Sequence, residues 1–173
     1  MTTQKEETIK VRGRNTRLFR GGDGAPLLFL HDTFCPLWLP LHQILAEHYE
    51  VFVPLHPGCA GSEDGFAQFE EMEDVVFHYL DLCATLQLDH PAVAGASFGG
   101  WIAAEWAMRY SNTLRALILI DALGLRVREA PACRRLGLLA SRAARVGGLR
   151  ALGRDRMQGQ FRTSYAVRDV RTA

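Results

Sequence analysis

A doubly wound α/β sheet with mostly parallel strands is the fold class this sequence predicts, and three observations carry the prediction. Short apolar runs alternate with helix-spaced runs through the first 125 residues, which implies parallel strands joined by right-handed crossovers. Four of these runs are apolar almost throughout rather than alternating, the mark of strands buried on both faces. The third observation is the pentapeptide Gly95-Ala96-Ser97-Phe98-Gly99, placed where an apolar run passes into a helical one.

Taken in order, residues 9–20 read as two short strands around Asn15-Thr16, closed by the turn-rich Gly21-Gly22-Asp23-Gly24. P-L-L-F-L-H at 26–31 is the first buried strand. Residues 37–48 follow as a helix with Leu39, Leu41, Ile44 and Leu45 as its apolar positions. V-F-V at 51–53 is a second buried strand, ended by Pro54 and a loop over 55–65. Phe69, Met72, Val76, Tyr79, Leu80, Cys83 and Leu86 recur at helical spacing. The acids Glu70, Glu71, Glu73 and Asp74 fall in its first turns, where the helix dipole favours negative charge. A-V-A-G-A at 92–96 is the third buried strand, residues 98–110 a helix, and L-R-A-L-I-L-I at 114–120 the fourth strand. Trp38, Trp101 and Trp106 read as core residues.

With 173 residues, 48% of them hydrophobic and 23% charged, the chain has the composition of a soluble globular domain. The polar first ten residues predict no signal peptide, and no run approaches the roughly 20 apolar residues of a membrane span. Cys35, Cys59, Cys83 and Cys133 are widely spaced, which predicts reduced thiols, a cytoplasmic location and no metal site. No nucleotide or flavin motif occurs, so no cofactor is expected. The net charge of +1 conceals a division: 8 basic against 16 acidic residues through Leu125, then 12 arginines against 3 acids. Residues 1–125 therefore form the expected core, and 126–173 a basic tail rich in Arg, Ala, Gly and Leu.

A serine hydroxyl becomes a useful nucleophile only when a base takes its proton and an oxyanion hole stabilises the adduct. At the tip of a strand-to-helix turn the residues two before and two after the serine crowd together, and Gly95 and Gly99 remove the clashing β-carbons. The helix that follows points its amino end at the reacting centre, which makes the Phe98 N–H an oxyanion donor.

Several stations together resemble the α/β-hydrolase superfamily of the serine-nucleophile type, over about residues 8–125. Leu28-Phe29-Leu30-His31-Asp32 resembles the strand ending in His-Gly before the oxyanion loop, with Asp32 replacing the usual glycine. His56-Pro57-Gly58-Cys59-Ala60-Gly61-Ser62 resembles the P-G-x-G-x-S loop. Gly95 to Gly100 resembles the elbow, and Leu117-Ile118-Leu119-Ile120-Asp121 the next strand. The resemblance implies Ser97 as nucleophile, the backbone N–H groups of Phe98 and Thr33 as oxyanion donors, and Asp121 as a weaker candidate acid. It also implies His31 as a support of the oxyanion loop. His56 is expected to be structural or pocket-lining, and His42, His48, His78 and His90 to be surface residues.

The superfamily's order is Ser, acid, His, yet all six histidines of this chain precede Ser97. The lid and last strands that the family carries are expected to be missing or replaced by the tail. Two readings of the tail remain open: a helical cap using Leu136, Leu139, Ala143, Val146 and Leu149, or a shifted reading frame. The leading expectation is a serine hydrolase of ester-like or related carbonyl substrates, with a small molecule as its partner and reduced or no activity. A non-catalytic fragment is the second reading. The third, a protein binding nucleic acid or membrane through its basic tail, lacks aromatic interleaving, and no nucleic-acid or membrane partner is expected.

Overall fold

The computed structural model describes residues 4–33, 37–59, 65 and 69–124. The predicted tail over 126–173, whether helical cap or shifted frame, lies outside the described residues. Six strands form one sheet: β1 (Lys5–Val11), β2 (Arg14–Gly21), β3 (Ala25–Leu30), β4 (Tyr49–Pro54), β5 (Ala92–Ala96) and β6 (Ala116–Ile120). Their spatial order is β1-β2-β4-β3-β5-β6. From β4 to β6 the pairing is parallel, whereas β1 and β2 form an antiparallel hairpin laid antiparallel on β4. The mostly parallel α/β class read from the sequence is the architecture observed.

Three helices connect the strands: α1 (Pro40–Leu45), α2 (Met72–Thr85) and α3 (Phe98–Tyr110). Period-two alternation in the strands divides the core into two layers. Leu28, Leu30, Phe52 and Val93 face α2 and α3, where Tyr79, Leu82, Ile102 and Trp106 are buried. Leu27, Phe29, Val51 and Val53 face the opposite side with Ala46, Trp38 and Leu45. Asp74 caps α2 by accepting from the backbone N–H groups of Glu70 and Glu71 at 2.9 and 3.1 Å, so one of the acids expected in the first turn acts as a hydrogen-bond acceptor.

Three expectations are corrected. The hairpin turns at Arg12-Gly13, with φ of 49° and 86°, rather than at Asn15-Thr16. Positive φ at both central residues matches the strand twist, and Gly13 supplies one of them without strain. The helix expected over 37–48 shrinks to six residues, started by Pro40, and two of its predicted apolar positions do not face inward. Leu41 and Ile44 are exposed, while His42, expected at the surface, is fully buried against Phe29 and Trp38. His78 is likewise only partly exposed, wedged on α2 beside Phe69 and Tyr79. His48 and His90 are exposed as expected.

Candidate active site

The strand order places β3 between β4 and β5, so the chain leaves its carboxyl end toward one face of the sheet and leaves that of β5 toward the other. Open α/β sheets bind ligands in the crevice at such a reversal. Leu30 is in register with Gly95, which brings the loop after β3 alongside the turn after β5.

That turn is the single residue Ser97, at φ 52° and ψ −110°. A non-glycine residue there costs on the order of 1–3 kcal/mol and persists only where its surroundings impose it. Here three hydrogen bonds do so. Ser97 N–H donates to the Ile120 carbonyl at 2.9 Å, and the Ser97 carbonyl accepts from Leu123 N–H at 2.9 Å and Trp101 N–H at 3.1 Å. The turn is thus tied to the end of β6 on one side and to the first turn of α3 on the other.

Glycine is required around it for a measurable reason. A Cβ on Gly95 would lie 2.3 Å from the Gly99 carbonyl oxygen, and one on Gly99 2.1 Å from that of Leu30 and 2.5 Å from that of His31. The crowding of positions −2 and +2 is therefore real. Beyond that expectation, Gly99 also lets α3 rest on the backbone of the β3 loop.

His31 and His56 bind that loop from behind. His56 backbone N–H donates to His31 Nε2 at 3.1 Å, and His31 Nδ1 contacts the Asp32 carbonyl. His56 Nε2 meets the His31 carbonyl at 2.7 Å, and its Nδ1 meets the Tyr79 hydroxyl. The two rings lie 3.9 Å apart. Burial pushes the pKa of both below the ordinary imidazole value, strongly so for His56, where the neighbouring His31 adds to the effect. Both rings are therefore neutral, with both nitrogens of each engaged.

The sequence-predicted residues separate into two groups. Ser97, Phe98 and the 31–33 loop converge at the carboxyl ends of β3 and β5, with Phe98 buried and Ser97 and Thr33 partly accessible. His31 lies beneath the loop, in the supporting position the resemblance implied. Asp121 is exposed at φ 45° just past β6, and no described histidine pairs with it. No described side chain hydrogen-bonds the Ser97 hydroxyl. Tyr79 was read only as a core-facing helix residue. A buried tyrosine needs a partner for its hydroxyl, which was the available signal for a wider role.

Comparison with known proteins agrees with this geometry. The family model of the alpha/beta hydrolase family matches residues 27–172. Over 122 residues the chain is 27% identical to 2-hydroxy-6-oxo-2,4-heptadienoate hydrolase of Pseudomonas putida, covering 68% of this chain and 44% of that one. It is 30% identical over 123 residues to 2-hydroxymuconate semialdehyde hydrolase of a Pseudomonas species, covering 68% and 43%. A crystal structure of a bacterial membrane phospholipase A matches with a TM-score of 0.66 at 25% identity, covering 72% of this chain and 42% of that one. The chain thus spans less than half the length of the curated relatives it matches. Among the described residues no helix is long and apolar enough to cross a membrane. With the parallel sheet, the strained serine turn and a family model matching most of its length, this chain belongs to the alpha/beta hydrolase family.

Proposed function

We propose that this chain carries the nucleophile and oxyanion hole of a serine hydrolase acting on an ester-like or related carbonyl substrate. Ser97 Oγ attacks the carbonyl carbon, and the N–H groups of Phe98 and Thr33 receive the developing oxyanion. The observation that carries this reading is the Ser97 backbone at φ 52° and ψ −110°, held by three hydrogen bonds. Strain maintained at one polar residue, at the amino end of a helix and in the switch-point crevice, positions a reactive group rather than stabilising the fold. The names of the two curated relatives, an oxo-dienoate hydrolase and a semialdehyde hydrolase, support a carbonyl-bearing small molecule as substrate. A reducing, cytoplasmic setting is part of the same proposal, supported by the wide spacing of the four cysteines.

The chain's own histidines do not supply the base in this reading. His31 and His56 are neutral and fully engaged, and none of the six follows Ser97. Losing the base of a complete triad costs on the order of 10⁶ in kcat, while an oxyanion hole with binding alone retains about 10³–10⁴ over water. Turnover by this chain alone is therefore slow. The same engagement of His31 and His56 favours the second reading, a non-catalytic member. Hydrolysis of p-nitrophenyl acetate by the full chain, set beside Ser97→Ala, decides between them. A rate that falls with the serine supports the hydrolase, and equal rates establish the non-catalytic reading.

A further inference from the structure

We infer that Tyr79 and His56 are positioning residues for the oxyanion hole, forming with His31 a neutral hydrogen-bond relay that fixes the 31–33 loop against the nucleophile turn. The inference deepens the hydrolase reading, and it rests on the proton placement that the four hydrogen bonds require of two neutral rings.

Carbonyl oxygens only accept, so His56 Nε2, 2.7 Å from the His31 carbonyl, must carry a proton. A neutral ring then leaves Nδ1 bare, and the Tyr79 hydroxyl must donate to it. In the same way, the His56 backbone N–H can only donate, so His31 Nε2, 3.1 Å away, is bare. The His31 proton therefore sits on Nδ1 and points at the Asp32 carbonyl. For neutral rings, one assignment satisfies all four bonds. It runs from a hydroxyl buried on α2, through the loop after β4, to the backbone of the loop after β3.

The relay touches both expected donors. It holds the His31 carbonyl and the Asp32 carbonyl, the latter in the same peptide unit as the Thr33 N–H. The His56 ring also packs edge-on against the Phe98 ring at 5.5 Å, so it braces the residue that offers the other N–H. Gly99 closes the arrangement by resting on the same His31 carbonyl that His56 holds. Tyr79 is fully buried, and burial raises its pKa well above the ordinary phenol value, so the hydroxyl remains a donor. A tyrosine chosen only to fill the core would not require its oxygen to end on an imidazole nitrogen.

Imidazole ¹⁵N NMR of the full chain tests this without needing turnover. The expected spectrum at neutral pH shows His31 protonated on Nδ1 and His56 on Nε2. Tyr79→Phe should shift the His56 Nδ1 resonance and leave the His31 tautomer in place. In the ester assay the same variant should lower the Ser97-dependent kcat about tenfold, with KM unchanged within about twofold, since a misplaced donor acts on the transition state. The opposite tautomer on either ring, or a cationic His56, in the unsubstituted chain overturns the relay even should Tyr79→Phe not fold. An unchanged His56 resonance in a folded Tyr79→Phe also overturns it, and reduces Tyr79 to core filling. Correct tautomers with no serine-dependent turnover would leave the relay standing and remove the hydrolase reading instead.

Discussion

Replacing Gly99 with alanine should be among the most damaging single-methyl changes in this protein. The new Cβ would stand 2.1 Å from the Leu30 carbonyl oxygen, 2.5 Å from the His31 carbonyl oxygen and 2.5 Å from the Leu30 carbonyl carbon. These distances fall about 1 Å or more short of the roughly 3.5 Å at which such atoms rest. All three obstacles are backbone. Leu30 ends a central strand paired with Gly95, so no rotamer change relieves the clash. Overpacking of this kind costs about 1–3 kcal/mol, and the absence of any yielding side chain places Gly99→Ala near the upper end. At about 2–4 °C per kcal/mol for a chain of this size, the unfolding midpoint should fall by about 6–12 °C. Gly65→Ala is the control, because among the described residues its Cβ would meet only Gly58 Cα at 3.9 Å; its effect should stay within about 0.5 kcal/mol. Thermal and urea unfolding of the two variants beside the parent measure the difference. A Gly99→Ala protein as stable as Gly65→Ala would refute the close seating of α3 on the β3 loop, and with it the geometry of the proposed oxyanion hole.

Two further outcomes follow from the same site. Ser97→Gly should stabilise the protein by up to about 1 kcal/mol by relieving φ 52°, whereas Ser97→Ala should leave stability nearly unchanged; urea midpoints that do not separate the two variants would show that the turn is unstrained. Burial pushes His42 and His78 from 6.5 down to about 4, and lowers His31 and His56 in the same direction. Between those values the unfolded chain binds more protons than the folded one, so stability present above pH 6.5 is lost as the pH falls toward 4. His42→Asn keeps an acceptor for the Leu39 N–H, removes one of these groups and should flatten the acid limb of urea midpoints taken between about pH 7.5 and 4.5. Parallel profiles for the parent and this variant would refute the buried neutral state of His42.

Where periodicity and local sterics decide the structure, the sequence was a sufficient guide. The strand at 92–96 and the helix at 98–110 begin and end where they were expected, because two glycines and a serine leave the backbone one way to pass between them. Phe98 and the 31–33 loop meet at Ser97 as the motif order implied. What escaped was polar burial. His42 follows an apolar residue in a segment whose leucines and isoleucine have helical spacing, and nothing local reveals that the short helix turns the histidine inward. The link from Tyr79 to His56 joins residues 23 apart through a shared pocket, and the imidazole tautomers depend on contacts between three separate segments. Such pairings are set by tertiary geometry, which hydrophobic patterning does not encode.

The Ser97 turn is also bound to an edge strand of the sheet. Among the described residues β6 pairs with β5 alone, and Ile118 and Ile120 are exposed on it, so the fourth apolar run is an edge and not the strand buried on both faces that its pattern predicts. Yet two of the three hydrogen bonds that hold Ser97 in its strained conformation come from Ile120 and Leu123, at and just past the end of that strand. Gly100 in α3 packs against Ala122 in the same segment, where an added Cβ would meet the Ala122 side chain at 2.6 Å. Any fraying of β6 would therefore release the Ser97 N–H and one donor to its carbonyl, and the residue would relax toward negative φ. The relay through Tyr79, His56 and His31 reaches the site from the opposite side of β5 and does not involve β6. The 31–33 loop and the Ser97 turn thus depend on different parts of the fold. Serine positioning is the more exposed of the two, because it depends on the β6 edge while the buried histidines hold the loop.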